Sequence, residues 1–141
     1  MTTIAYRDGI LATDSEASRN GVTVGYVKKI FKLPGVGAVA FCGNPAWTST
    51  ALQWLREPDT EIPKCIVDGE ICGLVIHDDG EVYVMAEGPP FPIECPYHTM
   101  GSGRDIALGA LAMGATAEQA VDIAARHDQA TAGITQTIKV F

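Results

Sequence analysis

The sequence lacks long apolar runs and dense positive charge, and both absences narrow the range of functions. No apolar run approaches the roughly 20 residues that a membrane-spanning helix needs. The densest basic run is Lys28-Lys29 with Lys32, in a chain whose formal net charge is −7. Because nucleic acids and anionic membrane surfaces attract basic patches, we expect neither as a partner.

The sequence also lacks the spacing of a metal-binding motif. None of the four cysteines forms a C-x-x-C pair, and the three histidines are scattered along the chain. The residues concerned are Cys42, Cys65, Cys72, Cys95, His77, His98 and His127. Since zinc sites have characteristic ligand spacings, we expect no metal and no cofactor.

The first residues show no targeting segment. A secretory signal would place a basic stretch before an apolar one, and this pattern is not present. Cysteines without a pairing pattern are typical of a reducing compartment. We therefore expect a cytoplasmic protein.

Length and turn chemistry favour one domain with antiparallel sheets. A chain of 141 residues, 47% of them hydrophobic, has the size of a single domain covering residues 1–141. Asp8-Gly9 and Asp79-Gly80 each separate two apolar runs, as in tight β-hairpins. Helical patterns follow Gly43 and Gly103. The prediction is a layered α+β fold with mostly antiparallel sheets.

Three further segments have local signals. Residues 15–21 are polar and turn-like, and residues 88–96 are proline-rich, so both are predicted to be irregular. Thr116 and Gln119 have the spacing of a capping box. This spacing predicts a helix that begins directly after Thr116.

Thr2 stands immediately before the first predicted strand. Removal of Met1 would make Thr2 the first residue, with a hydroxyl and a free α-amine. A threonine hydroxyl becomes an effective nucleophile when a base takes its proton, and an N-terminal amine is one such base. The unperturbed pKa of this amine, roughly 7.7–8.0, suits a general base. Thr2 is either such a nucleophile or only a small residue after the initiator methionine.

Lys29 lies in an alternating segment, residues 28–33, which predicts a strand. The alternation places Lys29 on the same face as Phe31 and Leu33. A lysine among large apolar residues either extends its ammonium group to the edge of the core or is buried for a chemical task. The pattern alone leaves both alternatives open.

Two glycine positions precede predicted helices. Gly43 ends an apolar strand, and Asn44 with Pro45 supplies a helix N-cap and first helical position. The N–H of Gly43 could stabilise an oxyanion, or the glycine could only ease the turn. The segment Gly101-Ser102-Gly103 lacks the lysine of a phosphate-binding loop and the spacing of a G-x-S-x-G elbow.

Six short motifs follow one another over nearly the whole chain. They are Thr2-Thr3-Ile4-Ala5, Leu11-Ala12-Thr13-Asp14, Val27-Lys28-Lys29-Ile30, Ala40-Phe41-Cys42-Gly43, Met100-Gly101-Ser102-Gly103, and Arg126-His127-Asp128 with Thr131-Ala132-Gly133. In this order they resemble the proteasome β-type subunits and the bacterial proteasome-like peptidase HslV, which are N-terminal nucleophile (Ntn) hydrolases. The resemblance implies a four-layer αββα sandwich and self-assembly into a ring that encloses the active sites.

The resemblance also implies roles for four residues around the predicted nucleophile. Thr2 matches the nucleophile, and its α-amine matches the base. Lys29 matches a buried lysine, whose charge disfavours protonation of the amine and favours an anionic oxygen. Asp14 matches the carboxylate that pairs with this lysine. Gly43 matches the glycine whose N–H stabilises the oxyanion.

Three more residues match the surroundings of the N-terminus in this family. Ser102 and Asp128 match residues that form hydrogen bonds there, and Thr131 lies where a serine is common. The chain departs from the family pattern between its first helix and the next strand, where residues 57–71 are so few that a helix of the outer layer is either shortened or lost. The chain also ends directly after its last predicted strand.

The activity that the resemblance implies is that of a threonine peptidase. Such an enzyme cleaves polypeptides through an acyl-enzyme intermediate inside a homo-oligomeric ring. Since the sequence contains no ATP-binding motif, an ATP-dependent unfoldase would be a separate partner.

Two alternatives use the same fold. The chain could be an amidase that acts alone on small substrates, or a catalytically silent structural protein that retains Met1. With Met1 in place, the Thr2 nitrogen is an amide and has no basicity. Glycosidase chemistry at Asp78-Asp79 is disfavoured because adjacent turn residues do not face each other across a substrate.

Overall fold

The computed structural model describes residues 2–141, which form eleven β-strands and four α-helices. The strands are β1 (Thr3–Arg7), β2 (Ile10–Thr13), β3 (Glu16–Arg19), β4 (Val22–Tyr26), β5 (Ile30–Leu33), β6 (Gly37–Gly43), β7 (Ile71–His77), β8 (Val82–Met85), β9 (Phe91–Ile93), β10 (Tyr97–Gly101) and β11 (Gln136–Lys139). The helices are α1 (Thr48–Arg56), α2 (Lys64–Val67), α3 (Arg104–Ala112) and α4 (Ala117–His127), and a 3₁₀ turn at Pro45–Trp47 precedes α1. None of these helices is both long and apolar enough to cross a membrane.

The strands form two larger sheets and one separate hairpin. The first sheet has the order β10-β1-β2-β11, and the second has the order β5-β6-β7-β8-β9. Strands β3 and β4 pair only with each other among the described residues. The strand pairs are antiparallel. The prediction of an α+β fold with mostly antiparallel sheets is therefore confirmed.

Three apolar clusters hold these elements together. One lies between the two sheets, one between the second sheet and helices α1 and α2, and one between the first sheet and helices α3 and α4. Their largest fully buried members include Ile4, Leu11, Leu74, Ile76, Leu33, Ile66, Leu111 and Val121. Because apolar burial is the main favourable term in folding, these clusters fix the position of the first strand and of the residue before it.

The β1–β2 hairpin turns at Asp8-Gly9, as predicted. Both residues have positive φ, 51° and 78°, which is the backbone of a tight hairpin turn. The register pairs Tyr6 with Leu11 and Ile4 with Thr13. Helix α4 begins as predicted, because the Thr116 hydroxyl accepts the Gln119 N–H and the Gln119 side chain accepts the Thr116 N–H.

The prediction that residues 15–21 are irregular was wrong. They contain β3, which turns at Asn20-Gly21 into β4. The outer half of this hairpin is solvent-exposed, so its strands show little of the alternation that marks a half-buried strand. Residues 88–96 likewise contain β9, an edge strand in which Pro92 is tolerated because edge strands can do without a ladder donor.

Candidate active site

Thr2 directly precedes β1 and lies beside the end of β10, the neighbouring strand of the first sheet. Thr3 pairs with Gly101, which brings Thr2 alongside Ser102. The single proton of the Ser102 hydroxyl is shared between the Thr2 carbonyl oxygen at 3.2 Å and Asp128 Oδ2 at 2.7 Å. A Cβ on Gly101 would lie 2.1 Å from that carbonyl oxygen, so only glycine allows the two strands to approach this closely. Thr2 is only 3% exposed.

Lys29 contacts Thr2 directly. Its ammonium group donates to Thr2 Oγ1 at 2.9 Å and to Asp14 Oδ1 at 3.1 Å. Lys29 directly precedes β5, and Phe31 and Leu33 of that strand belong to the cluster under α1 and α2. The Phe41 N–H donates to the Lys29 carbonyl at 2.8 Å, which continues the β5–β6 register by one pair. That Lys29 shares a strand face with Phe31 and Leu33 stays a prediction.

The Asp14 carboxylate is fixed by four donors. Oδ1 accepts the Thr3 N–H and the Lys29 ammonium, while Oδ2 accepts the N–H groups of Glu16 and Ala132. Asp14 is 1% exposed. A buried carboxylate needs such partners, and its fixed position holds Lys29 against Thr2.

Burial changes the electrostatics of Lys29. Desolvation lowers the pKa of its ammonium group below the usual value, against the opposing effect of the Asp14 charge and hydrogen bond. The protonated ammonium therefore costs more here than in water. A desolvated charge also acts strongly on neighbouring groups, because little water screens it.

A second set of hydrogen bonds surrounds the Thr2 carbonyl. The hydroxyls of Ser102 and Thr131 lie 2.7 and 2.6 Å from Asp128 Oδ2. The single proton of the Thr131 hydroxyl goes to Asp128. Thr131 Oγ1 therefore accepts from the Thr3 hydroxyl, which lies 2.7 Å away. Burial raises the pKa of Asp128, but these hydroxyl donors outweigh it, and the net pKa lies below the usual value.

Gly43 ends β6 beside the same cavity. Phe41, two residues earlier, donates its N–H to the Lys29 carbonyl at 2.8 Å. Residues two apart in a strand point their N–H groups to the same side, and β5 begins only at Ile30. The N–H of Gly43 therefore points past the end of β5. A Cβ on Gly43 would lie 2.6 Å from the Glu70 carbonyl oxygen, and its φ is +98°.

Two adjoining cavities open at this point. One of about 630 Å³ is lined by Thr2, Gly43 and Ser102 among others. A smaller one of about 70 Å³ is lined by Thr2, Lys29, Gly43 and Glu16. Thr2 and Gly43 therefore both border the larger cavity.

The structure thus brings the seven predicted residues into one neighbourhood. Thr2, Lys29 and Asp14 touch directly, Ser102 reaches the Thr2 carbonyl, and Asp128 and Thr131 continue that network. Gly43 shares the cavities with Thr2. Met1, whose removal the prediction requires, lies outside the described residues.

Two neighbouring residues carried no sequence signal. The Gln136 side chain accepts the Lys29 N–H at 3.1 Å and donates to the Val27 carbonyl at 2.8 Å, so β11 fixes the segment that carries Lys29. Glu16 is buried in the wall of the smaller cavity, and one of its carboxylate oxygens accepts the Thr23 hydroxyl at 2.6 Å. A lone glutamine or glutamate in a polar segment forms no recognisable motif.

Within residues 2–141, no group of three or more His, Cys, Asp or Glu side chains is placed to hold a metal ion.

The fold is similar to that of solved structures of Thiobacillus denitrificans BPH. One matches with a TM-score of 0.67 and 17% sequence identity, covering 99% of this chain and 98% of that one. A second, of Thiobacillus denitrificans BPH in complex with epoxomicin, matches with a TM-score of 0.71 and 18% identity over the same shares. No protein-family profile and no curated protein sequence matches the chain. The likeness therefore concerns the fold.

Proposed function

We propose that this chain is a threonine-type peptidase of the Ntn-hydrolase class, with Thr2 as nucleophile once Met1 has been removed. The observation that carries the proposal is the 2.9 Å hydrogen bond from the Lys29 ammonium to Thr2 Oγ1, with Asp14 behind it. A buried cation against a small hydroxyl stabilises the alkoxide form of that hydroxyl. A purely structural threonine has no need of this charge.

The reaction begins when the free α-amine of Thr2 takes the hydroxyl proton. Thr2 Oγ1 attacks the carbonyl carbon of a peptide bond, and the carbonyl oxygen becomes an oxyanion near the Gly43 N–H. The amine then gives its proton to the leaving nitrogen, the C–N bond breaks, and an ester to Thr2 remains. Water activated by the same amine hydrolyses this ester and restores the hydroxyl.

Lys29 serves this cycle without giving up its proton. Its charge disfavours protonation of the nearby amine and favours the anionic oxygen. Asp14 keeps the ammonium in position through the 3.1 Å ion pair. Ser102, Asp128 and Thr131 position the main chain of Thr2 through the Ser102 hydrogen bond to its carbonyl.

Three observations support the family assignment within this proposal. The three apolar clusters lie between four successive layers, which are helices, sheet, sheet and helices. This order agrees with a four-layer αββα sandwich built from the whole chain as one domain. Helix α2 has only four residues, which agrees with the first of the two alternatives predicted for the outer helix, shortened or lost. A structural neighbour binds epoxomicin, an inhibitor of threonine proteases.

We further propose that the chain assembles with copies of itself into a ring fed by a separate ATP-dependent unfoldase in the cytoplasm. The exposed side chains of β4 support a self-association surface, because Val22, Val24 and Tyr26 are 63–66% exposed. Such a group of exposed apolar residues marks an interaction surface. An amidase that acts alone would not need it.

Peptide hydrolysis by the purified protein tests the proposal. The wild type, lacking Met1, is expected to cleave fluorogenic peptides and to lose this activity after incubation with epoxomicin. Thr2→Ala is expected to be inactive and still folded, while Thr2→Ser keeps the hydroxyl and part of the rate. Full activity in folded Thr2→Ala would contradict the proposal, and activity confined to a monomer in size-exclusion chromatography would favour the amidase.

A further inference from the structure

Cys42 and Cys72 lie directly opposite each other on β6 and β7. Two residues further along the ladder, the Asn44 N–H donates to the Glu70 carbonyl at 2.8 Å, and this pattern repeats every two residues. Cys42 and Cys72 are therefore a hydrogen-bonded pair with Cα atoms about 5.5 Å apart. This separation falls in the range of disulfide-bonded cysteines, roughly 4.4–6.8 Å, and opposed residues project to the same face.

The two thiols differ in character because they interact. The hydrogen bond from Cys42 lowers the pKa of Cys72 to about 7. The same interaction, together with burial, raises the pKa of Cys42 far above its usual value. Of the two thiols, Cys72 therefore loses its proton more readily, and while protonated it donates to the Gly69 and Ala86 carbonyl oxygens at 3.4 and 3.8 Å. A reactive thiolate next to a second thiol is the arrangement of a resolvable redox pair.

The other two cysteines have no such partner position. Cys65 belongs to α2 and is buried in the cluster on the far side of the second sheet, and Cys95 is exposed between β9 and β10. Neither is a strand-register partner of another cysteine in residues 2–141. They serve as internal controls for thiol reactivity.

Cys42 also belongs to the walls of both cavities at Thr2 and directly precedes Gly43. We propose that Cys42 and Cys72 form a reversible redox site, at which a hydroperoxide converts the two thiols to a disulfide, and that this oxidation lowers turnover at Thr2. The second part of this proposal rests on the proposed peptidase function. The first part does not.

The chemistry balances with hydrogen peroxide as the two-electron oxidant. The Cys72 thiolate attacks one peroxide oxygen, the O–O bond breaks, and hydroxide leaves to become water after protonation. Cys42 sulfur then attacks Cys72 sulfur, the S–O bond breaks, and the departing hydroxide takes the Cys42 thiol proton as a second water. An external dithiol reverses the step by thiol–disulfide exchange and is itself oxidised.

The disulfide changes the site through Cys42. Its sulfur must move to about 2.05 Å from that of Cys72 and adopt a fixed torsion, which draws it from the cavity wall. The adjoining Gly43 N–H must lie within a few tenths of an ångström of its productive place, since oxyanion donors act at about 2.7–3.1 Å. We therefore expect oxidation to reduce kcat/KM severalfold, with recovery on reduction.

The test treats the intact protein with hydrogen peroxide, blocks the remaining thiols, and maps disulfides by mass spectrometry of peptides. We expect one linked peptide pair, Cys42 with Cys72, and loss of two of the four thiols. Dithiothreitol should restore both thiols and the peptidase rate together. Cys95→Ser is the matched control, and it should oxidise and lose turnover like the wild type.

Cys72→Ser separates the redox site from the peptidase, because Cys72 does not line the cavities at Thr2. This variant should keep the basal rate and become insensitive to peroxide, and Cys72→Ala should behave alike if serine disturbs folding. Absence of the Cys42–Cys72 link would overturn the redox site, whether or not the protein hydrolyses peptides. A complete link with an unchanged rate in an active enzyme would overturn the regulatory part.

Discussion

The Lys29 ammonium lies 2.9 Å from the Thr2 hydroxyl oxygen, although the two residues directly precede strands of different sheets and are 27 positions apart. Asp14, 1% exposed, completes the contact from a third segment. A buried ion pair contributes little to stability when compared with apolar packing. Its position against Thr2 therefore has a chemical explanation more readily than a structural one.

Replacing Lys29 by methionine should abolish peptide hydrolysis. The variant removes the charge that favours the Thr2 alkoxide, and we expect kcat to fall by about a hundredfold or more, the scale of a lost electrostatic contact in the transition state. It should also lower the free energy of unfolding, because Asp14 remains buried without its ion-pair partner, at a cost of about 3–5 kcal/mol.

The double variant Lys29→Met with Asp14→Asn serves as the control for this effect. It removes both charges, so the cost of the unpaired buried carboxylate disappears, but the new amide nitrogen faces a backbone N–H that the carboxylate accepted. The stability in urea denaturation should therefore return only in part, while hydrolysis stays absent. If Lys29→Met unfolded more easily yet kept its turnover, the lysine would be structural and the site assignment wrong.

Ser102→Ala should slow the enzyme less than changes at Thr2 or Lys29. The hydroxyl contacts the Thr2 carbonyl and Asp128, so it positions the nucleophile without reacting. We expect a loss of about tenfold in kcat, equivalent to ~1.4 kcal/mol, with KM nearly unchanged. Steady-state kinetics measure the two separately, and a loss as complete as that of Thr2→Ala would assign Ser102 a direct chemical role.

Gly43→Ala should impair both folding and hydrolysis. The new Cβ would lie 2.6 Å from the Glu70 carbonyl oxygen at a φ of +98°, and a non-glycine residue in such a conformation costs about 1–3 kcal/mol. The displaced backbone also moves the proposed oxyanion donor. Gly109→Ala in α3 is the matched control, since a Cβ there meets nothing within 4 Å, and it should be neutral or stabilising by up to ~1 kcal/mol. Equal melting temperatures and rates for the two variants would contradict this expectation.

Asp128 should make stability depend on pH in the acid range. Its pKa is lowered in the folded state from a usual value of 3.8, so the unfolded chain binds the proton more tightly. The resulting stabilisation is fully present at a pH above 3.8, the usual pKa, and is lost as the pH falls through the folded-state pKa. Asp128→Asn should therefore show a smaller loss of unfolding free energy than the wild type between neutral pH and this acid range. Parallel curves of unfolding free energy against pH for the two proteins would show that Asp128 does not contribute to the loss of stability in acid.

Local sequence signals predicted much of the fold. The turn at Asp8-Gly9 and the cap at Thr116 follow from backbone preferences of a few adjacent residues, and both formed as predicted. Hairpin β3–β4 was missed, because strands without a buried face show no apolar alternation. The alternation of residues 28–33 did not reveal that the strand begins at Ile30, nor that the Lys29 ammonium contacts the Thr2 hydroxyl.

The candidate site depends more on tertiary contacts than on local pattern. The family resemblance predicted which seven residues to examine, and the fold places them together. The Gln136 contact with the Lys29 backbone was not predictable, since it joins residues 107 positions apart through a common side chain. The pairing of Cys42 with Cys72 likewise depends on the register of β6 and β7, which the spacing of the cysteines does not determine.

The most direct test of the central claim is the intact mass of the protein as made in a cell, before and after reaction with a threonine-directed covalent inhibitor. The account predicts a mass short by one methionine, then a single addition that peptide mapping locates at Thr2. The addition should be absent from Thr2→Ala. A protein that retains Met1 where a competent aminopeptidase is present, and that takes up no inhibitor, would contradict the account and favour a catalytically silent member of the fold.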